Sequence, residues 1–367
     1  MLKQHKYLWK VRNFFRSRFF NFLRHLAGID DCRAILVNLV REQVGYPKPR
    51  ELSEVQAIDP PYPEIGYRGK SDRTFLRSDI IFVTGRFRSG STLIWNLFRN
   101  IPNITSYYEP FNERRWFDQA NRGLHVDPTH LKVGEYWAEY DGLAALGNYY
   151  SEDWTRRQLY MNARAWKPAM QRYIEILIES AKGRPVLQFN RVDLRLPWLR
   201  SCFPHTKILH IFRHPRDQWC STLGGNLTSG SRLQLQDFEQ YDGFYLLTWG
   251  QDLHNYFPFL TLDKESHPYE LFYQIWKLSY LFGRSYSNLS ISLEEILNNP
   301  ELAIKRMLSD LSVEGYDLAK LVNLVTPVPI GKWKQFADQQ WFRTIEEKVD
   351  EQIAEYFKGE SYLVSNI

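Results

Sequence analysis

Apolar residues recur along this chain at two different periods. Short β-branched and aromatic runs at 79–84, 186–190, 207–212 and 289–293 have the length and composition of buried strands. Between and after them, apolar positions return every three or four residues at 91–99, 168–182, 216–223, 269–286, 300–311 and 344–357, which predicts helices. Strands separated by helical stretches predict an α/β fold, three layers deep, with a mainly parallel central sheet flanked by helices. The segment 113–167 breaks the rhythm. It is aromatic and weakly patterned, and is expected to form a helical insert over a cleft rather than part of the sheet.

Ahead of residue 78 the pattern changes. Leu8, Val11, Phe15, Phe19, Phe22 and Leu26 recur at helical spacing, and residues 1–29 hold seven Lys or Arg and no acid. A basic amphipathic helix of this kind either lies on an anionic membrane surface or packs on the main domain with its basic face in water. Residues 46–77 are rich in Pro and Gly and read as a linker or arm. The chain therefore divides into a helical extension (1–45), an arm (46–77) and one large domain (78–367).

The formal charge of +5 suits an anionic ligand or surface and does not by itself imply nucleic acid, so no nucleic-acid partner is expected. Cys32, Cys202 and Cys220 are an odd set without metal-ligand spacing, which indicates neither a disulfide framework nor a zinc site and suits a reducing compartment. No apolar run of about 18 residues predicts a membrane-spanning helix. The expected location is cytoplasmic, with the N-terminal helix available for peripheral contact with a membrane.

The chemistry concentrates behind the first strand. Gly85-Arg86-Phe87-Arg88-Ser89-Gly90-Ser91-Thr92 runs from the strand end into a helix that starts near Ser91. Such a strand, loop and helix N-terminus make an anion site: the glycines let the backbone approach, and the first helical N–H groups point at the ligand. Ser89, Ser91 and Thr92 add hydroxyls, Arg88 adds a planar cationic fork, and Arg86 either assists or faces solvent. The expected fold becomes P-loop-like. A P-loop kinase or nucleotide hydrolase shares the glycine spacing, but Ser91 stands where its lysine belongs. The strands at 186–190 and 207–212 lead into Asn190-Arg191 and Arg213-His214, a basic surrounding poorly made for Mg²⁺, so no metal is expected. A second anion group follows from Arg213 at a strand end and Ser221, about two turns into the next helix.

Phe87-Arg88-Ser89-Gly90-Ser91-Thr92 resembles the 5′-phosphosulfate loop of sulfotransferases, and is most similar to the carbohydrate and bacterial branches, which place arginine at the Arg88 position. Arg213 followed eight residues later by Ser221 resembles the 3′-phosphate element of the same family. Segments 189–204 and 291–300 resemble flanking elements. Gly331-Lys332-Trp333-Lys334 resembles the late cofactor loop and makes Lys332 a candidate ligand. The resemblance spans about 78–341 and implies 3′-phosphoadenosine 5′-phosphosulfate (PAPS) as sulfuryl donor, with adenosine 3′,5′-bisphosphate as product. Leu93 stands where many family members carry a tryptophan that stacks on adenine, so no stacking residue is assigned.

Sulfuryl transfer needs a base for the acceptor proton. Glu109, in Tyr107-Tyr-Glu-Pro-Phe-Asn112, is the candidate, with Pro110 expected to present its carboxylate on a turn. Carbohydrate-type and bacterial sulfotransferases resemble this stretch in carrying a Glu-Pro pair whose Glu acts as base. His125, His130 and His214 are the alternatives. The acceptor is expected to bear a hydroxyl, with a glycan or lipid favoured. Trp116, Trp137, Tyr140, Tyr149, Tyr150, Trp154 and Trp166 either line a sugar-stacking groove or fill the core, and 241–259 offers either an apolar lid or more core. The loop at 224–230 is expected to gate access. A kinase or hydrolase stands as the second reading, and a catalytically idle nucleotide- or membrane-binding protein on the same fold as the third.

Overall fold

The computed structural model describes the backbone of Gly66–Tyr67, then residues 75–224 and 232–357. The expected N-terminal helix, most of the arm and nearly all of the loop at 224–230 lie outside these residues.

Five strands form the central sheet: β1 (Ile81–Thr84), β2 (Ile104–Tyr108), β3 (Arg184–Phe189), β4 (Lys207–Phe212) and β5 (Leu289–Ser292). Their order is β2-β3-β1-β4-β5, and every pairing is parallel. Ile81 of β1 stands beside Val186 of β3 and Lys207 of β4, so the carboxyl ends of the strands share one edge. In open parallel sheets ligands bind outside that edge.

Alternation along the strands sends residues to two cores. Ile81 and Val83 face one core with α1 (Ser91–Arg99); Phe82 faces the other, with α2 (Pro168–Ser180) and α3 (Leu196–Cys202). α4 (Pro215–Thr222), α5 (Leu246–His254) and α6 (Pro268–Tyr286) also contribute to the second core, whereas α7 (Leu293–Asn298), α8 (Pro300–Asp310) and α9 (Leu318–Val322) join the first. α10 (Gln339–Tyr356) packs on α6. Prolines at the first helical position open α2, α4, α6 and α8, where a missing N–H costs nothing.

Two elements differ from expectation, and the structure decides between two readings of a third. β2 was not predicted: Ile-Thr-Ser-Tyr-Tyr lacks a clear apolar run because it is an edge strand bonded on one side only. The insert over 113–167 holds 3-10 turns at Ala138–Tyr140, Ala144–Asn148 and Glu152–Thr155 and a two-residue strand, with no α-helix among its residues. Its Trp116, Tyr140 and Trp154 are core, while Trp166 is exposed. Of the two readings of 241–259, core holds for Leu246, Trp249, Leu253 and Phe257, which are buried in the second core.

Candidate active site

β1 delivers the chain into the glycine loop at the centre of the sheet. A side chain at Gly85 would put Cβ 2.6 Å from the Ile211 carbonyl oxygen of β4, so only glycine lets the loop leave between the strands. Arg88 and Gly90 take φ of 66° and 96°, left-handed conformations that wrap the loop over the start of α1. The first N–H groups of α1 lack intrahelical acceptors, which makes this helix start suited to an anion. Ser91 Oγ donates to Asn190 Oδ1 at 2.8 Å, and Thr92 Oγ1 lies 3.1 Å from the Tyr108 hydroxyl.

A cleft of about 350 Å³ opens over this loop, within the range of small-molecule sites. Arg88, Gly90, Ser91, Thr92, Glu109, Asn190, Arg191, Arg213 and Ser221 all line it. Residues far apart in sequence thus converge because β1, β2, β3 and β4 each end at the same edge. Arg88 Nε donates to Ser221 Oγ at 3.0 Å, tying the loop to α4 across 133 residues. Burial pulls the Arg213 guanidinium below its ordinary value; Asp217 and Glu294 oppose this, and the positive charge of Arg88 adds to it. Two arginines that repel one another in a shared cleft are relieved by a ligand with several negative charges.

Glu109 follows β2 directly, is buried, and takes φ 38°. Three donors hold its carboxylate. Asn112 Nδ2 reaches Oε2 at 2.7 Å, Arg191 Nη1 reaches Oε2 at 3.0 Å, and Asn190 Nδ2 donates to Oε1. An ionised carboxylate offers about four lone-pair sites, so three partners leave one for a further hydroxyl. Arg191 also donates through Nη2 to Glu113 Oε2 at 2.6 Å and stacks its guanidinium 4.9 Å from the Phe87 ring centroid. Tyr245 completes the group, its hydroxyl donating to Glu113 Oε1 at 3.0 Å.

The family model described as Sulfotransferase family matches residues 79–275, more than half of the chain. The chain belongs to the sulfotransferase family. Solved sulfotransferases resemble it at low identity. One from Mycobacterium avium (STF9) is 12% identical, covering 76% of each chain with a TM-score of 0.41. Mouse SULT7A1, complexed with PAP, is 14% identical over 78% of this chain and 87% of its own, at 0.39. One from Alicyclobacillus acidocaldarius is 16% identical over 78% and 98%, at 0.37. Among curated proteins no match is found.

Within this sulfotransferase the cleft does not gather every residue expected from sequence. Arg86 turns away from it: the guanidinium is buried 3.6 Å from Asp193 and 4.9 Å from the Trp249 ring centroid, behind the loop. Burial lowers its pKa and Asp193 raises it, the mark of a structural cation held inside the domain. Ser89 is also buried outside the cleft lining, and its N–H closes the loop on the Arg86 carbonyl at 3.2 Å. Lys332 is exposed and not part of the lining; its neighbour Gly331 donates N–H to Asp217 Oδ2 at 2.8 Å. His125 and His214 also lie outside the lining, and His130 lies in it. The sulfotransferase site includes groups given no role from sequence, chiefly Asn190, Arg191, Tyr108 and Glu113. Asn190 ends a predicted strand and Arg191 follows it, which was the available signal.

Proposed function

We propose that this sulfotransferase takes the sulfuryl group from PAPS and delivers it to a hydroxyl of a glycan or lipid, with Glu109 receiving the acceptor proton. The observation that carries the reading is the convergence of the glycine loop, Arg213 with Ser221, and Glu109 on one cleft. The residues fit the donor's chemistry. Arg88, Ser91, Thr92 and the N-terminus of α1 form one anion cradle; Arg213 and Ser221 supply a second group for the other phosphate. The cradle needs its glycine, because Gly90 takes φ 96°, and a Cβ there would also push on a methyl of Leu293 in the cleft wall.

When bound, PAPS supplies the sulfuryl group; the chain supplies position and charge. Arg88 neutralises oxygens around the transferring group, and the loop holds the leaving phosphate in line with the acceptor oxygen. Glu109, just past the end of β2 and one strand removed from β1, offers its remaining lone pair to the acceptor hydroxyl and takes its proton as the bond forms. Asn112, Asn190 and Arg191 fix the carboxylate and balance its charge. Around it, Asn112, Glu113 and Arg114 mix with Trp116, Phe244 and Tyr245, a lining that suits a hydroxylated acceptor with an apolar face. Attachment to an anionic membrane through residues 1–29 belongs to the same proposal and rests on the sequence.

Thermal unfolding with adenosine 3′,5′-bisphosphate, compared with ATP–Mg²⁺, tests the donor. At about a hundred times its Kd, a ligand of the folded state adds about 2.7 kcal/mol and raises Tm by several degrees. That shift is expected with the bisphosphate. A shift with ATP–Mg²⁺ alone would instead support the kinase reading.

A further inference from the structure

One turn of the insert reaches two side chains of the glycine loop. Arg88 Nη1 donates to Thr129 Oγ1 at 2.9 Å, and Thr129 passes its own proton to Asp127 Oδ1 at 2.7 Å. At the end of the same turn, which His130 N–H closes on the Asp127 carbonyl at 2.9 Å, His130 Nε2 lies 3.3 Å from Thr92 Oγ1.

The contacts of the Tyr136 hydroxyl bear on the tautomer of His130. The Tyr136 hydroxyl oxygen accepts from Asp127 N–H at 3.0 Å and stands 2.5 Å from His130 Nδ1. With its single proton directed at Nδ1, the ring hydrogen sits on Nε2, facing Thr92. Burial keeps the imidazole neutral by lowering its pKa, with Asp127 and Glu109 opposing and Arg88 reinforcing the shift.

Thr92 Oγ1 has two lone pairs and one proton. His130 fills one lone pair. The Tyr108 hydroxyl, 3.1 Å away and kept a protonated phenol chiefly by burial, fills the other when its proton points to Thr92 and not to Glu109. With both filled, the Thr92 proton has only the cleft to turn to.

We propose that His130 is a positioning residue for the sulfuryl donor, donating Nε2–H to Thr92 so that the Thr92 hydroxyl proton is committed to an oxyanion in the cleft. The inference rests on reading the cleft as a PAPS site. It makes the insert part of the donor site, acting through Thr92 and not by touching the donor.

Calorimetric titration of adenosine 3′,5′-bisphosphate into the full chain and its variants tests this. His130→Phe keeps a ring among Tyr108 and Tyr136 and loses both hydrogen bonds; His130→Gln can restore both. We expect about tenfold weaker binding for His130→Phe, near wild-type binding for His130→Gln, and a comparable loss for Thr92→Val. The double variant His130→Phe, Thr92→Val should bind no more weakly than Thr92→Val alone, because one interaction is removed twice. If His130→Phe lacks a cooperative thermal transition, His130→Ala takes its place in the cycle. Unchanged affinity in His130→Phe, or additive losses in the double variant, would overturn the role given to His130 and leave the donor reading standing. Absence of binding by the wild-type chain would overturn the donor reading itself.

Discussion

Glu109 combines a buried carboxylate, a positive φ and three donors, one of them a buried arginine. A surface glutamate needs none of these, and their cost is consistent with a group held in one geometry for chemistry. Glu109→Gln preserves shape but replaces an acceptor oxygen with an NH₂ that cannot take a proton. Initial-rate kinetics should show kcat lower by roughly 10²–10⁴, the usual contribution of a positioned base. Titration should show affinity for adenosine 3′,5′-bisphosphate retained, since Glu109 is not placed on the anion cradle. Full turnover in this variant would remove Glu109 from the role of base. At this scale the sequence was legible where a residue sits in a local motif: Arg88, Ser91, Thr92, Glu109, Arg213 and Ser221 all reach the cleft. It misled at Arg86 and Ser89, which share the loop but are buried behind it, Arg86 beside Asp193 and Trp249, partners that local sequence could not reveal.

The elements explain how those side chains meet. β1, β3 and β4 were readable as apolar runs because they lie at the buried centre of a parallel sheet. β2, which carries Glu109, was hidden by its polar edge position, and the pairing of Arg191 with Glu109 and Glu113 could not be seen without knowing that β2 lies beside β3. Tight contact between elements has a consequence in β4. His210 is buried against α6, where a side chain at Gly283 would come within 2.5 Å of its ring. Burial, with a smaller push from Arg284, lowers the His210 pKa to about 3. The unfolded chain takes up this proton near the ordinary value of about 6.5, so below it the unfolded state binds more protons and stability falls as pH drops towards 3. Urea midpoints should therefore fall between about pH 7 and pH 5, and His210→Gln should flatten that slope. Equal slopes in both proteins would exclude His210 as its source.

Across the whole molecule, a modest net charge of +5 says little until the fold places it. The sheet collects Arg88, Arg191 and Arg213 at one edge, and Arg191 is balanced by Glu109 and Glu113 on the side proposed for the acceptor. Arg88, 3.8 Å from the exposed carboxylate of Asp127, and Arg213 are the cations that face the glycine loop's side of the cleft and suit a polyanion. Composition could not foretell this division, nor that most of the aromatic residues of the insert would pack in the core. It follows from which strand ends are neighbours. The central claim is that this edge moves a sulfuryl group from PAPS to a hydroxyl. Incubating the chain with PAPS labelled in its sulfur, over a panel of glycan and lipid hydroxyl acceptors, tests it most directly. The account predicts label in a glycan or lipid acceptor, and strongly reduced label with Glu109→Gln. No label in any acceptor, together with transfer of phosphate from labelled ATP to the same panel, would contradict it.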